Sequence, residues 1–236
     1  MRKKLLIAVI IIAAILIGGY FAYQKGYLAY YFGEPATPSP TSIEYFFSFD
    51  VKNQNLSPET IQIYREKFDE AQTQIQKKPN DINHWLSMAI IKKGIGDYEG
   101  AYDILNYANR KWPDNFTVLY NLADLYANFL NQPAKAEEIY KSLMEKQPAN
   151  VNLRLALAEL YRYKIPGKEG EYENVLLAGL KVLPNDGNLI GPLALYYRQT
   201  NQIDKAIEYY EKLVQIAPNN ETAKEDLAEL KRQVGK

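Results

Sequence analysis

Side chains able to make or break bonds are sparse in this chain. It has one histidine, His84, and no cysteine, which excludes a thiolate nucleophile, a disulfide, a cysteine-based metal site and a lipid-modified cysteine. His84 precedes Trp85 with no second ligand nearby, so it reads as a surface or half-buried residue, not as a base or ligand. Glu169, Glu171 and Glu173 form an acidic patch that reads as a solvated loop. Lys92-Lys93 is too short a basic run to grip phosphates, and 28 Lys+Arg against 28 Asp+Glu leave no cationic surplus for nucleic acid. No phosphate loop, nucleophile elbow or paired catalytic motif is present. The expectation is a protein that is not an enzyme and has no metal site and no small-molecule cofactor. Its chemistry would be hydrogen bonding and apolar contact with another macromolecule.

The elements that would position such contacts are set by a period. Pro79, Pro113, Pro148, Pro184 and Pro218 are spaced by 34, 35, 36 and 34 residues. Their settings are alike: Lys-Pro-Asn-Asp, Trp-Pro-Asp-Asn, Gln-Pro-Ala-Asn, Leu-Pro-Asn-Asp and Ala-Pro-Asn-Asn. Each proline ends one helix, and the Asn or Asp after it can cap the next. A period of this length means a repeat array in which stacked units bury a shared core.

The pattern resembles the tetratricopeptide repeat family, whose 34-residue unit is a helix pair. That unit has large residues at positions 4, 7, 11 and 24, small ones at 8, 20 and often 27, and Pro at 32. Starting at Ile82, Trp85, Met88, Ala89, Ala101, Leu105, Ala108 and Pro113 fall into place, while Lys92 departs from the usual Tyr at 11. Further units start at Phe116, Val151 and Gly187, with Ala123, Ala158 and Ala194 at position 8. In the third, Tyr172 stands where the small residue at 20 belongs. Pro192, inside the first helix of the fourth unit, predicts a late start or a bend. Ser57-Pro58-Glu59 starts a preceding helix to about Lys78, with Ile61, Tyr64, Phe68, Ala71 and Ile75 on one side. Residues 221–234 predict a capping helix with Ala223, Leu227, Ala228 and Leu230 inward. The fold expected is all-α. It is a right-handed superhelix of about four pairs (82–115, 116–150, 151–186 and 187–220), within a domain spanning 57–236.

The resemblance implies a concave groove, lined by the first helix of each pair, that takes an extended peptide or a partner helix. Its counted lining is Asn83, Leu86, Ser87, Ile90 and Lys93; Tyr120, Asn121, Asp124 and Asn128; Asn152, Leu155, Glu159, Arg162 and Tyr163; and Asn188, Leu195, Arg198 and Gln199. Asn both donates and accepts, which suits a peptide backbone, and Tyr offers apolar area with a polar tip. The carboxylate clamp of the chaperone-binding members is not expected, because only Asn121 matches its residues.

Residues 5–23, from Leu5 to Tyr23, carry no charge. At about 1.5 Å per residue they span roughly 28 Å, close to a bilayer core of about 30 Å. Arg2, Lys3 and Lys4 precede the run and only Lys25 follows it, which predicts a cytoplasmic N-terminus. A cleaved signal peptide is the rival, but Tyr20 and Tyr27 occupy the −3 positions for cuts after Ala22 and Ala29. The run therefore reads as a single-pass signal anchor contacting the lipid bilayer of the cytoplasmic (inner) membrane, with the repeats outside it. A linker over 25–56 includes Pro35, Pro38 and Pro40, a semi-extended spacer. Within it, Ile43, Tyr45, Phe47, Phe49 and Val51 alternate with polar residues and Phe46. That alternation predicts an extended segment that either covers the first helix or docks in a groove or on a partner.

Three Asn triplets, at Asn55, Asn115 and Asn220, fit the glycosylation pattern, which is common by chance. The functional expectation is a membrane-anchored scaffold for assembly of a cell-envelope complex. The rivals are a holdase for exported polypeptides and an accessory subunit that regulates a membrane enzyme.

Overall fold

The computed structural model describes residues 42–235. The 5–23 run and the proline spacer lie outside the described residues. A 3-10 turn, Ile43–Phe47, leads into ten α-helices, and no strand occurs among the described residues. The helices are α1 Pro58–Lys77, α2 Ile82–Gly94, α3 Tyr98–Lys111, α4 Phe116–Asn128, α5 Pro133–Lys146, α6 Val151–Tyr163, α7 Glu171–Val182, α8 Gly187–Gln199, α9 Ile203–Ile216 and α10 Glu221–Gln233. Among them no helix is long and apolar enough to cross a membrane.

Local chemistry sets the starts. Asp81, Asn115, Asn150, Asp186 and Asn220, each two residues after a phased proline, accept a backbone N–H of the helix that follows. Ser57 and Asp97 do the same for α1 and α3. Each such cap is worth about 1 kcal/mol. The turn between the two helices of each pair holds one left-handed residue: Gly96 (φ 83°), Asn131 (φ 52°), Gly167 (φ 82°) and Asn201 (φ 56°). Gly and Asn are the residues that tolerate this conformation.

The chain forms two compact units, one up to Lys135 and one from Ala136 onward. In the first, Trp85, Met88, Ala89, Ala101, Ile104, Leu105 and Ala108 bury the seam of α2 and α3. In the second, Ala158, Leu176, Leu189, Leu193, Ala194, Ala206 and Tyr210 belong to one core that reaches Ala223 and Leu230 of α10. The alanines allow close approach, and the large residues fill the space around it. Position 4 also ties the turns down. Trp85 Nε1 donates to the Pro79 carbonyl at 2.9 Å, and Arg154 donates to the Pro148 carbonyl at 3.1 and 2.7 Å.

Three expectations need correction, and the atypical second helix of the third unit gains an explanation. Residues 43–52 are not a uniform extended strand. Ser42 caps the 3-10 turn, which shifts the register so that Phe46 is buried and Tyr45 is exposed. Phe46 packs edge-on against Trp85 at 5.3 Å, and Phe49 packs against Phe68 at 5.2 Å. The segment thus covers part of α1 but anchors chiefly on α2 and α3. Pro192 does not delay its helix, because Asp186 caps α8 and starts it at Gly187. Tyr172 is buried, and close approach in α7 moves to Gly179, where a Cβ would lie 2.7 Å from Arg154 Cδ. Ala228 is exposed rather than inward.

Candidate peptide-binding surface

In the first unit the expected groove residues lie on α2 and α4. Asn83 and Ser87 are exposed: Asn83 Nδ2 donates to Asp81 at 3.1 Å, and the Ser87 hydroxyl donates to the Asn83 carbonyl at 2.9 Å. Asn121 Nδ2 donates to the Thr117 carbonyl at 2.8 Å, and Tyr120 stacks beside Phe116 with centroids 6.0 Å apart. Asp124 pairs with Lys93 at 2.8 Å and accepts from Asn128 at 2.9 Å. Beside this polar cluster Ile90 is 53% exposed.

In the second unit Asn152, Glu159 and Asn188 are exposed on α6 and α8. Arg162 Nη2 donates to Gln199, and its guanidinium lies 4.8 to 5.2 Å from the ring centroids of Tyr163, Tyr172 and Tyr196. Burial pushes the Tyr172 hydroxyl up against the opposing pull of Arg162. Tyr163 is 65% exposed and Leu195 is 42% exposed. Arg198 belongs to a different cluster. It pairs with Asp226 at 2.6 Å and Glu229 at 3.1 Å, locking α8 to α10. Burial and the neighbouring Asp226 push the Tyr210 hydroxyl up to about 12.

Sequence reasoning missed a second set of polar residues, at the seams within and between the pairs. Lys92, at the position where tyrosine is usual, is 2% exposed. Its Nζ donates to Asp97 at 2.7 Å and to Ser48 at 3.1 Å. Lys52 also reaches Asp97 at 3.0 Å. Burial alone would raise the Asp97 carboxyl, but Lys92 and Lys52 outweigh it and hold the carboxyl below its ordinary range.

The second unit repeats the device with tyrosine. Tyr161 donates to Glu137 at 2.9 Å, with Lys141 and Lys168 alongside. Tyr197 donates to Glu173 at 2.8 Å, with Lys205 at 3.0 Å. Glu173 is therefore part of a seam and not a freely solvated patch. Burial would raise both carboxyls, yet their partners hold them low. The available signal was a Glu one residue past position 20, one unit before a Tyr at position 11. Asn115 and Asn220 spend their side-chain oxygens on helix caps. His84 is half-buried, 3.4 Å from Asp81. No group of three or more candidate metal ligands occurs among the described residues.

The array of helix pairs, its phased caps and its alanine seams define a helical-repeat protein. Models described as tetratricopeptide repeat match residues 117–150 and 193–220, so the chain carries tetratricopeptide repeats there. Anaphase-promoting complex subunit 7 of Arabidopsis thaliana is 29% identical over 159 residues. That match spans 67% of this chain but only 28% of the relative. Among solved structures, PilW, a type IV pilus biogenesis factor, is 20% identical with a TM-score of 0.52, covering 74% of this chain and 87% of that one. A tetratricopeptide repeat protein from Parabacteroides merdae is 18% identical with a TM-score of 0.53, covering 74% of each chain. YrrB, described as having an unusual peptide-binding site, is 16% identical with a TM-score of 0.50, covering 70% and 84%. At these identities the structural likenesses establish a shared fold.

Proposed function

We propose that this chain is a membrane-anchored repeat scaffold that binds protein partners during assembly of a cell-envelope complex. Residues 5–23 form the anchor in the cytoplasmic membrane, the N-terminus faces the cytoplasm, and the repeats lie on the other side. The observation that carries the reading is the composition of the first-helix faces. Ile90, Tyr163 and Leu195 stand exposed among Asn, Ser and Arg side chains, a mixture of apolar area and directional polar groups suited to a polypeptide. The solved structures described as a pilus biogenesis factor and as having a peptide-binding site are compatible with that role.

The test places a photo-crosslinking side chain at Ile90, at Leu195 or at exposed Lys212 on a second helix, in the full chain in its native membrane. A partner captured from Ile90 or from Leu195 but not from Lys212 supports the groove on the unit that carries the residue. Equal capture from Lys212 refutes it. A reporter fused after Lys236 that is active only in the cytoplasm overturns the topology.

A further inference from the structure

Position 12 of the repeat carries a cation in three of the four units: Lys93, Arg162 and Arg198. Two of the three are neutralised from the next helix in the row. Lys93 meets Asp124 at 2.8 Å, and Arg198 meets Asp226 and Glu229 at 2.6 and 3.1 Å. Arg162 is the exception. At the corresponding place it meets the neutral amide of Gln199, and among the described residues no carboxylate pairs with it.

The guanidinium is not loose. Tyr163, Tyr172 and Tyr196 hold it by their ring faces at about 5 Å, and Tyr172 and Tyr196 pack on each other with centroids 4.9 Å apart. Surrounded in this way, the guanidinium spends donors on Gln199 and the Tyr172 hydroxyl oxygen, and its remaining N–H groups can serve a planar anion. Tyr163, at 65% exposed, and Leu195, at 42% exposed and one turn before Gln199 on α8, add apolar area on the same helix faces. Glu159, three residues earlier on the same helix, is exposed, and its charge is felt at the Tyr172 hydroxyl.

We infer that the Arg162 cluster of the second unit is a docking point for one carboxylate of an extended partner segment, with an apolar residue beside it seated on Leu195 and Tyr163. This rests on the groove reading above and gives it a ligand chemistry. A partner's Asp or Glu side chain and a partner's C-terminal carboxylate share that chemistry. The missing anion at position 12 is thus supplied in trans, where the neighbouring units supply it internally.

The probe is a phage-displayed library of random dodecamers selected on the full-length chain in detergent, with the enriched peptides resynthesised. The inference expects an enriched motif with one acidic residue next to an apolar one. Changing that Glu to Gln should weaken binding at least tenfold. Arg162→Gln should abolish the acidic preference, Arg162→Lys should restore part of it, and Arg198→Gln should leave it intact. An amidated synthetic peptide that still binds assigns the carboxylate to a side chain, and one that fails assigns it to the C-terminus. Selection without an acidic motif, or the same motif on Arg162→Gln, overturns the inference. If those peptides still lose binding when Asn152 and Asn188 of the second unit are changed together, the groove reading survives while the role of Arg162 does not. Far-UV circular dichroism of Arg162→Gln, expected unchanged, separates lost recognition from lost fold.

Discussion

Changing Asp97 to Asn isolates the buried charge pair of the first unit. Asn keeps the side-chain oxygen that accepts the Gly100 N–H at 3.2 Å, so the cap of α3 remains. The change removes the charge facing Lys92, which is 2% exposed and, among the described residues, otherwise donates from its Nζ to Ser48. Breaking a buried pair costs about 3–5 kcal/mol. A ceiling follows from chemistry, because a free lysine can shed its proton at pH 7 for about 4.6 kcal/mol. Lys52 keeps Glu99 at 3.0 Å, an exposed pair worth about 0–1 kcal/mol. The expected loss is therefore about 3–4.5 kcal/mol.

The two tryptophans, Trp85 and Trp112, both lie in the first unit, so their fluorescence during urea unfolding reports on that unit alone. At about 2 kcal/mol per molar urea the midpoint falls by about 1.5–2.3 M. Adding Lys92→Met removes the stranded cation and recovers most of the loss. Asp97 titrates below its ordinary value of 3.8, so its contribution is full above that pH and is lost as pH falls through the lower folded value. The gap between wild type and variant thus persists to about pH 4 and closes below it. A midpoint shift under about 0.5 M, which is about 1 kcal/mol, or a double variant weaker than the single one, refutes the reasoning.

Gly179→Ala gains about 1 kcal/mol of helix propensity, but its Cβ meets Arg154 Cδ at 2.7 Å and Leu189 Cδ1 at 2.8 Å. Overpacking of about 1–3 kcal/mol wins, and a variant more stable by circular dichroism refutes the close approach. Tyr197→Phe strands one lone pair of Glu173 and costs about 1–3 kcal/mol at pH 7. Because Glu173 titrates low, that deficit shrinks only in acid, and a deficit constant from pH 7 to 3 counts against the hydrogen bond. Phe46→Ala costs about 3–5 kcal/mol in the tryptophan-detected midpoint, since Phe46 is buried against Trp85. A loss under about 1 kcal/mol means that the 43–47 turn is not docked as described.

The helix pairs were legible because their signals are local and redundant. A proline, an Asn or Asp two residues later and an alanine eight residues further on coincide in four units, and the structure starts α2, α4, α6 and α8 at the residues they indicate. The 43–52 segment misled for the opposite reason. Its alternation is genuine, but one Ser42 cap outweighs it locally, and a single 3-10 turn moves burial from Tyr45 to Phe46. The seam pairs were illegible from one unit at a time. Tyr161 with Glu137 and Tyr197 with Glu173 each join residues 24 apart, on different pairs. Lys92 looked like half of a surface Lys-Lys run, because nothing local reveals that Asp97 turns back onto it.

This distinction bears on function. A polar residue counted onto a groove is a ligand candidate only if the fold has not already given it a partner. Arg198 fails that condition: a partner would have to displace Asp226 and Glu229, and with them the contact that holds α10. Lys93 and Asp124 neutralise each other and offer a partner little net attraction. Asn83 and Asn121 have used one amide hydrogen each on their own helices, and each keeps a second amide hydrogen and its carbonyl oxygen for a partner. What stays open is apolar area at Ile90, Tyr163 and Leu195 together with the guanidinium N–H groups of Arg162 that Gln199 does not take. Apolar area contributes affinity with little discrimination, whereas a fixed guanidinium discriminates by geometry. Specificity in the second unit therefore depends on Arg162 far more than on the number of polar residues that the repeat pattern assigns to the groove.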